Sequence, residues 1–188
     1  METLKKIWQF IYETGKTILV SLAVVLVVRS FIVQPFYVRG ASMEPNFEDG
    51  EYLIINEIVY TCVKSHCAGM PERGDVIVFR YPLDPSEYFI KRVIGLPGDT
   101  IDIDAGTITV NGKELEEPYL DPYLETYGKV HISLGSDEFY VLGDNRSASS
   151  DSRRWGVLNR RNIVGKVWLR GWPPDRVGVI SDEDPILR

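Results

Sequence analysis

The chain has 188 residues, 44% of them hydrophobic and 26% charged, which is room for one ordinary domain plus an anchor and excludes a disordered chain. Its net charge of -6 and the absence of any Lys/Arg cluster argue against a nucleic-acid partner, because phosphate binding needs clustered cations. Arg153-Arg154 and Arg160-Arg161 are isolated pairs that read as solvated or salt-bridged.

Residues 17–28 carry no charge; Arg29 and Ser30 interrupt, and Phe31-Ile32-Val33 extend the apolar run. The first run alone is too short for a bilayer core, which takes about 20 residues and at least about 17. Read through to Val33 it reaches that limit, with Arg29 near one end, where a guanidinium can snorkel to the headgroups. Ile7, Trp8, Phe10, Ile11 and Tyr12 suit an interfacial extension of the same helix. Lys5, Lys6 and Lys16 favour a cytoplasmic N-terminus, while Arg29 and Arg39 on the far side oppose that bias. The competing reading is a cleaved leader, but Gln34-Pro35-Phe36-Tyr37-Val38-Arg39 has no small-x-small site, and Pro35 stops the helix. The expected organisation is a cytoplasmic segment 1–16, a transmembrane anchor 17–34 and an extracytoplasmic domain 35–188.

Beyond Pro35 the chain reads as short strands. Residues 52–55, 75–79 and 89–94 are β-branched or aromatic-rich, and 101–103 alternates with period two. Cys62 and Cys67 flank Val63-Lys64-Ser65-His66. In an exported domain a short-loop disulfide is permitted there, free thiols remain open, and a metal site lacks ligands. Residues 107–110, Asn111-Gly112 and 113–115 signal a hairpin, since Asn-Gly takes the positive φ values of a type I′ turn. Between 116 and 129, Pro118, Pro122, Gly128 and several tyrosines mark an excursion from the sheet. Residues 138–142 and 163–169 are late strands, and 172–188 reads as a peripheral strand and frayed end. The expected fold is mainly β, an antiparallel barrel-like domain behind one N-terminal transmembrane helix.

A serine nucleophile needs a base within hydrogen-bond reach. The two histidines, His66 and His131, have no triad context, which disfavours a Ser-His-Asp site. A lysine can serve only if its amine, ordinarily near pKa ~10.4, is made neutral, and burial does that. Lys91 sits among Phe89, Ile90, Val93 and Ile94, whereas Lys64, Lys113 and Lys129 lie in polar, turn-like sequence. Ser42, in Gly40-Ala41-Ser42-Met43-Glu44-Pro45, stands just outside the hydrophobic segment. Each has a bland reading by itself: a loop serine, and an outward strand lysine beside Arg92.

These two blocks, Gly40 to Pro45 and Phe89-Ile90-Lys91-Arg92-Val93-Ile94-Gly95-Leu96-Pro97-Gly98-Asp99, are followed by Gly143-Asp144-Asn145-Arg146-Ser147-Ala148-Ser149-Ser150-Asp151-Ser152-Arg153. In this order and spacing, from about residue 31 to 154, the chain resembles a bacterial type I signal peptidase of the shorter Gram-positive-like kind. The resemblance implies a mostly-β catalytic domain, with Ser42 as nucleophile and Lys91 as general base. It further implies that Ser149 hydrogen-bonds the lysine and Asp151 supports the site with Arg153. Asp144 and Arg146 would fix the same loop by charge-assisted bonds. Phe36, Val38, Val78 and Ile90 either line pockets for the small residues of an Ala-x-Ala-like substrate, paired as an extended peptide, or are plain core. Met43 is expected to touch substrate.

Where some members carry a serine that helps hold the oxyanion, this chain has Gly40, so the Ser42 N–H is left as the main donor. The function implied is a membrane-bound, cofactor-free and metal-free monomer that cuts signal peptides from secretory preproteins at the lipid bilayer. One rival is a self-cleaving repressor of the SOS type, with a related β fold; it requires a DNA-binding module where this chain has an apolar span. Another is an inactive relative acting as an assembly factor, against which the joint presence of Ser42, Lys91 and Ser149 counts. Asn145-Arg146-Ser147 also matches a glycosylation sequon, a pattern short enough to recur by chance.

Overall fold

The chain begins with one unbroken helix, α1 (Glu2–Phe31), 30 residues and about 45 Å long at 1.5 Å per residue. The computed structural model describes all residues except 1, 32, 61, 64, 65, 68, 122, 181–185 and 188; the side chains of 3–4, 26–31, 33, 62–63, 66–67 and 186–187 are also outside the description. From residue 5 to 25 every helix side chain is exposed, the apolar ones included. Among the described residues no helix is both long and apolar enough to cross a membrane.

The helix does not extend through Val33. Pro35 biases Gln34 to extended backbone, and β1 (Val33–Tyr37) pairs antiparallel with β2 (Tyr52–Asn56), Val33 opposite Asn56. That corrects the reading that carried the apolar helix to Val33. β1 is an edge strand, where a proline without an N–H is tolerated. A small ladder follows: β3 (Cys62–Val63) against β4 (His66–Cys67), with Cys62 opposite Cys67. The sulfur chemistry of that pair lies outside the described residues.

The hairpin of β5 (Val76–Tyr81) and β6 (Asp84–Gly95) is the centre of the domain. All four residues from Val76 to Phe79 are buried, because the sheet is covered on both faces. Val76 and Val78 join Val38, Met43, Phe47, Leu53 and Ile55 on one side; Ile77 and Phe79 join Val93, Phe139 and Val141 on the other. β6 changes character along its length, exposed over its first five residues and buried over its last five. It thus runs from solvent into the core.

β7 (Thr100–Asp104) and β8 (Thr107–Val110) point Ile101, Ile103, Ile108 and Val110 into a third core cluster. β9 (Lys113–Glu116) follows across Asn111 and Gly112, whose φ of 54° and 75° are those of the type I′ turn. Next come β10 (Val130–Ser133), β11 (Glu138–Leu142), a one-turn helix α2 (Ser152–Trp155) and β12 (Leu158–Asn159). β13 (Ile163–Trp172), β14 (Gly178–Val179) and β15 (Ile186–Leu187) complete the chain.

The main sheet runs β1-β2-β13-β5-β6-β11-β12 with β14 on β13, and a second sheet runs β10-β7-β8-β9-β15. Every described pairing is antiparallel. The mainly β, antiparallel reading therefore holds, but the barrel does not close: among the described residues β1 and β12 end the path without pairing. Pro35 leaves β1 without one ladder N–H, as an edge strand tolerates, and β11 and β13 carry bulges. The tail supplies two peripheral strands, β14 and β15; its end lies outside the described residues.

Candidate active site

Ser42 stands in the turn that follows β1. Gly40, at φ +88°, reverses the chain, and its N–H donates to Asp49 Oδ1 at 2.7 Å. Phe47 N–H then closes on Met43 O at 2.9 Å, with both side chains sunk in the core. Met43 is 0% exposed. It anchors the serine turn from below and is not among the residues that line the groove, although its place beside Ser42 suggested substrate contact.

Lys91 arrives from β6, opposite Ile77 on β5. It is 3% exposed, and its Nζ donates to Ser42 Oγ at 2.7 Å and to Ile90 O at 2.6 Å. Burial draws its pKa down to about 8, against the pull of the Asp151 and Asp144 charges. An amine with that pKa is neutral in a sizeable fraction at mildly alkaline pH. Its nearest aromatic is Phe89, with Nζ 5.5 Å from the ring centroid.

The third block closes over this pair from behind. Asn145 N–H donates to Ser42 O at 3.1 Å. A Cβ on Gly143 would sit 2.2 Å from Ser149 Oγ and 2.4 Å from Ser42 O, so only glycine fits there. Asp151 is fully buried; it accepts from Gly143 N–H at 3.1 Å and from Arg153 Nε and Nη2 at 2.8 Å each, and caps α2 through Arg153 N–H. Burial works to raise its pKa, but the Arg153 bonds and charge outweigh it and hold the carboxyl below its usual range. Asp144 grips Arg92 bidentately, Nε at 2.9 Å and Nη2 at 2.7 Å, and accepts from Asn46 Nδ2 at 2.8 Å.

Ser149 departs from its expected contact. Its hydroxyl is buried without a hydrogen-bond partner, and Lys91 Nζ is satisfied by Ser42 and Ile90 instead. Ser149 still helps keep Asp151 ionised from close by, short of hydrogen-bond geometry. Its Oγ is packed close against Gly143.

Ser42 and Lys91 lie in a groove of about 570 Å³ between the β1 end and the outer half of β6. Phe36, Val38, Val78 and Ile90 line it and also belong to, or pack on, the core cluster beneath. Groove and core are one surface here, not alternatives. Among the described residues no cluster of three His, Cys, Asp or Glu is set to hold a metal ion. His131 faces solvent in a pair with Asp102.

A family model described as "Signal peptidase, peptidase S26" matches residues 11–172. The chain belongs to the signal peptidase family. It is 38% identical to a probable signal peptidase I-2 of Synechocystis over 178 residues, 91% of this chain and 78% of that one. It is 40% identical to signal peptidase I of Leptolyngbya laminosa over 178 residues, 90% and 83% of the two chains. A solved signal peptidase I of Enterococcus faecalis aligns at TM-score 0.47 and 28% identity, over 52% of this chain and 97% of that one. As a signal peptidase the protein is an enzyme, a serine peptidase.

Several groove residues of this signal peptidase escape the motif reading. Leu53 joins as the cross-strand partner of Phe36, and Glu87 and Tyr88 as the exposed continuation of β6 before Lys91. Ala148 and Ser150 flank Ser149 in the third block, where alternation along the backbone was the available signal. Arg39 and Tyr37 complete the rim.

Proposed function

We propose that this enzyme is a membrane-bound endopeptidase that removes N-terminal signal peptides from exported preproteins, cutting after small residues with a Ser42–Lys91 dyad. The observation that carries the proposal is a buried lysine amine 2.7 Å from a serine hydroxyl in an apolar, peptide-sized groove.

Neutral Lys91 accepts the Ser42 proton across that contact as Oγ attacks the scissile carbonyl. The Ser42 backbone N–H, which has no acceptor among the described residues, faces the oxyanion role. Gly40 brings no hydroxyl, and its own N–H is taken by Asp49. The Lys91 ammonium then gives its proton to the leaving amine, the C–N bond breaks, and an ester to Ser42 remains. Lys91, neutral again, takes a proton from water, whose oxygen attacks the ester; the ammonium returns that proton to Ser42 Oγ as the ester C–O bond breaks and the carboxyl product leaves. Asp151 and Arg153 hold the Gly143 loop, while Asp144 holds Arg92 beside the lysine. The close walls at Phe36, Val38, Val78 and Ile90 favour small side chains near the cut. No cofactor enters the chemistry.

The membrane reading rests on the uncharged run 17–28 inside a 30-residue helix whose side chains from 5 to 25 are exposed, with Lys5, Lys6 and Lys16 before it. It divides the chain into a cytoplasmic segment 1–16, an anchor within 17–34 and an extracytoplasmic catalytic domain 35–188, acting as a monomer. Phe36 of the groove lies five residues after α1 ends, which would keep the cut at the bilayer surface.

The test is cleavage of a preprotein carrying an Ala-x-Ala site in liposomes. Wild type is expected to cut, and Ser42→Ala and Lys91→Ala to fail. A Lys91→Ala protein that still cuts removes the base; a folded, membrane-bound wild type that does not cut favours the assembly-factor reading.

A further inference from the structure

Residues 117–129, between β9 and β10, form no strand among the described residues, yet Tyr119 and Thr126 are buried. Their polar groups converge on Arg146 in the third block. Arg146 donates from Nη2 to Glu117 Oε1, from Nη1 to Thr126 Oγ1, and from Nε to Gly143 O at 3.0 Å. The Tyr119 hydroxyl donates to the same Glu117 oxygen. Asn46 Nδ2 bridges the Tyr119 carbonyl at 3.0 Å and Asp144 Oδ2 at 2.8 Å, and the Arg92 guanidinium lies 3.8 Å over the Tyr119 ring. The excursion therefore touches the serine turn, the strand residue after Lys91 and the third block at once.

Glu117 is the only carboxylate among these contacts of Arg146. Burial works against the Arg146 charge, and Glu117 compensates it and fixes the guanidinium whose Nε holds Gly143 O. Gly143 has no slack, since a Cβ there would meet both Ser149 Oγ and Ser42 O. Gly143 thus packs against the Ser42 carbonyl and donates its N–H to Asp151, so a shift of its peptide would disturb both.

We propose that Glu117 is a positioning residue for the Ser42–Lys91 pair, acting through Arg146 and Gly143; this rests on the catalytic roles proposed above. The general physics is that small misplacements of reacting groups cost rate far more than binding.

The test uses the full-length enzyme in liposomes, with kcat, KM and the pH profile measured on one preprotein. Glu117→Gln is expected to lower kcat about tenfold, leave KM within about twofold, and shift the acid limb of the profile as the Ser42–Lys91 contact is disturbed. Thr126→Val, which removes one acceptor but keeps the ion pair, should do the same to a smaller extent. In an Arg146→Gln background, Glu117→Gln should add nothing. Wild-type kcat and pH profile in Glu117→Gln, or losses that multiply in the double variant, overturn the inference. If Glu117→Gln does not fold, an unchanged kcat and pH limb in Thr126→Val overturns it instead. Ser42→Ala and Lys91→Ala run alongside: activity surviving in them sinks the catalytic roles, whereas their loss beside an unaffected Glu117→Gln sinks the positioning role alone.

Discussion

Lys91 and Arg92 are neighbours on β6, 3% and 5% exposed, and their charges meet opposite fates. Alternation along the strand sends Lys91 to the groove and Arg92 to the network behind it. Burial disfavours both cations. For Lys91 it prevails, because the contacts of Nζ are a hydroxyl and a carbonyl, with Asp151 and Asp144 acting only at a distance. For Arg92 the bidentate Asp144 contact reverses it, and the pKa rises above its ordinary value. Desolvation alone does not neutralise a buried base; the absence of a carboxylate in contact does.

The comparison breaks most severely if the groove cation cannot lose its proton. Lys91→Arg keeps the charge and the strand but offers a guanidinium that stays protonated. Preprotein cleavage is expected to fall on the order of 10⁴-fold or more, as when one member of a catalytic set is removed. Wild-type-like turnover in that variant would show that no proton passes through residue 91.

On the network side, Asp144→Ala leaves Arg92 buried without its carboxylate. Such a loss costs about 3–5 kcal/mol of stability, read as a lower denaturant midpoint at unchanged slope. A midpoint like wild type would mean that water reaches Arg92.

Lys91 makes the reverse prediction. Its folded pKa of about 8 lies below the ordinary 10.5, so the unfolded chain binds more protons between those values. Stability therefore rises with pH across that window, and the full penalty, about 3 kcal/mol, applies below pH 8. Lys91→Met should recover most of it at pH 7 while abolishing cleavage, a gain visible in thermal melts and absent above pH 10.5. In the wild type, cleavage should climb through pH 8 as the amine deprotonates.

The smallest effect concerns the groove wall. Ile90→Ala opens space beside the dyad, and kcat/KM for a preprotein with a larger residue before the cut should improve against alanine by about tenfold. An unchanged preference would place selectivity elsewhere in the groove.

The sequence carried further for the strands and the Ser42–Lys91 contact than for their surroundings. Alternation in 101–103 and Asn111-Gly112 foretold β7 and the β8–β9 turn because both depend on neighbours in the chain. α2 was not anticipated: four residues capped by Asp151 have too short a period to detect. Nor was Glu117 anticipated, since its partner Arg146 is 29 residues away and its own stretch reads as a turn-rich excursion.

By itself, the sequence determined the antiparallel β character, the N-terminal apolar run and the three blocks that hold Ser42, Lys91 and Asp151. Local propensity is enough for the first two, and resemblance to the family marks the blocks. Tertiary structure decided that the sheet path stays open among the described residues, that Met43 turns inward, that Ser149 packs against Gly143, and that Lys91 is buried away from carboxylate contact while Arg92 is held by one. Each of these depends on which distant groups share a face and how far water is excluded, and these are sums over non-local contacts that no single stretch of chain contains.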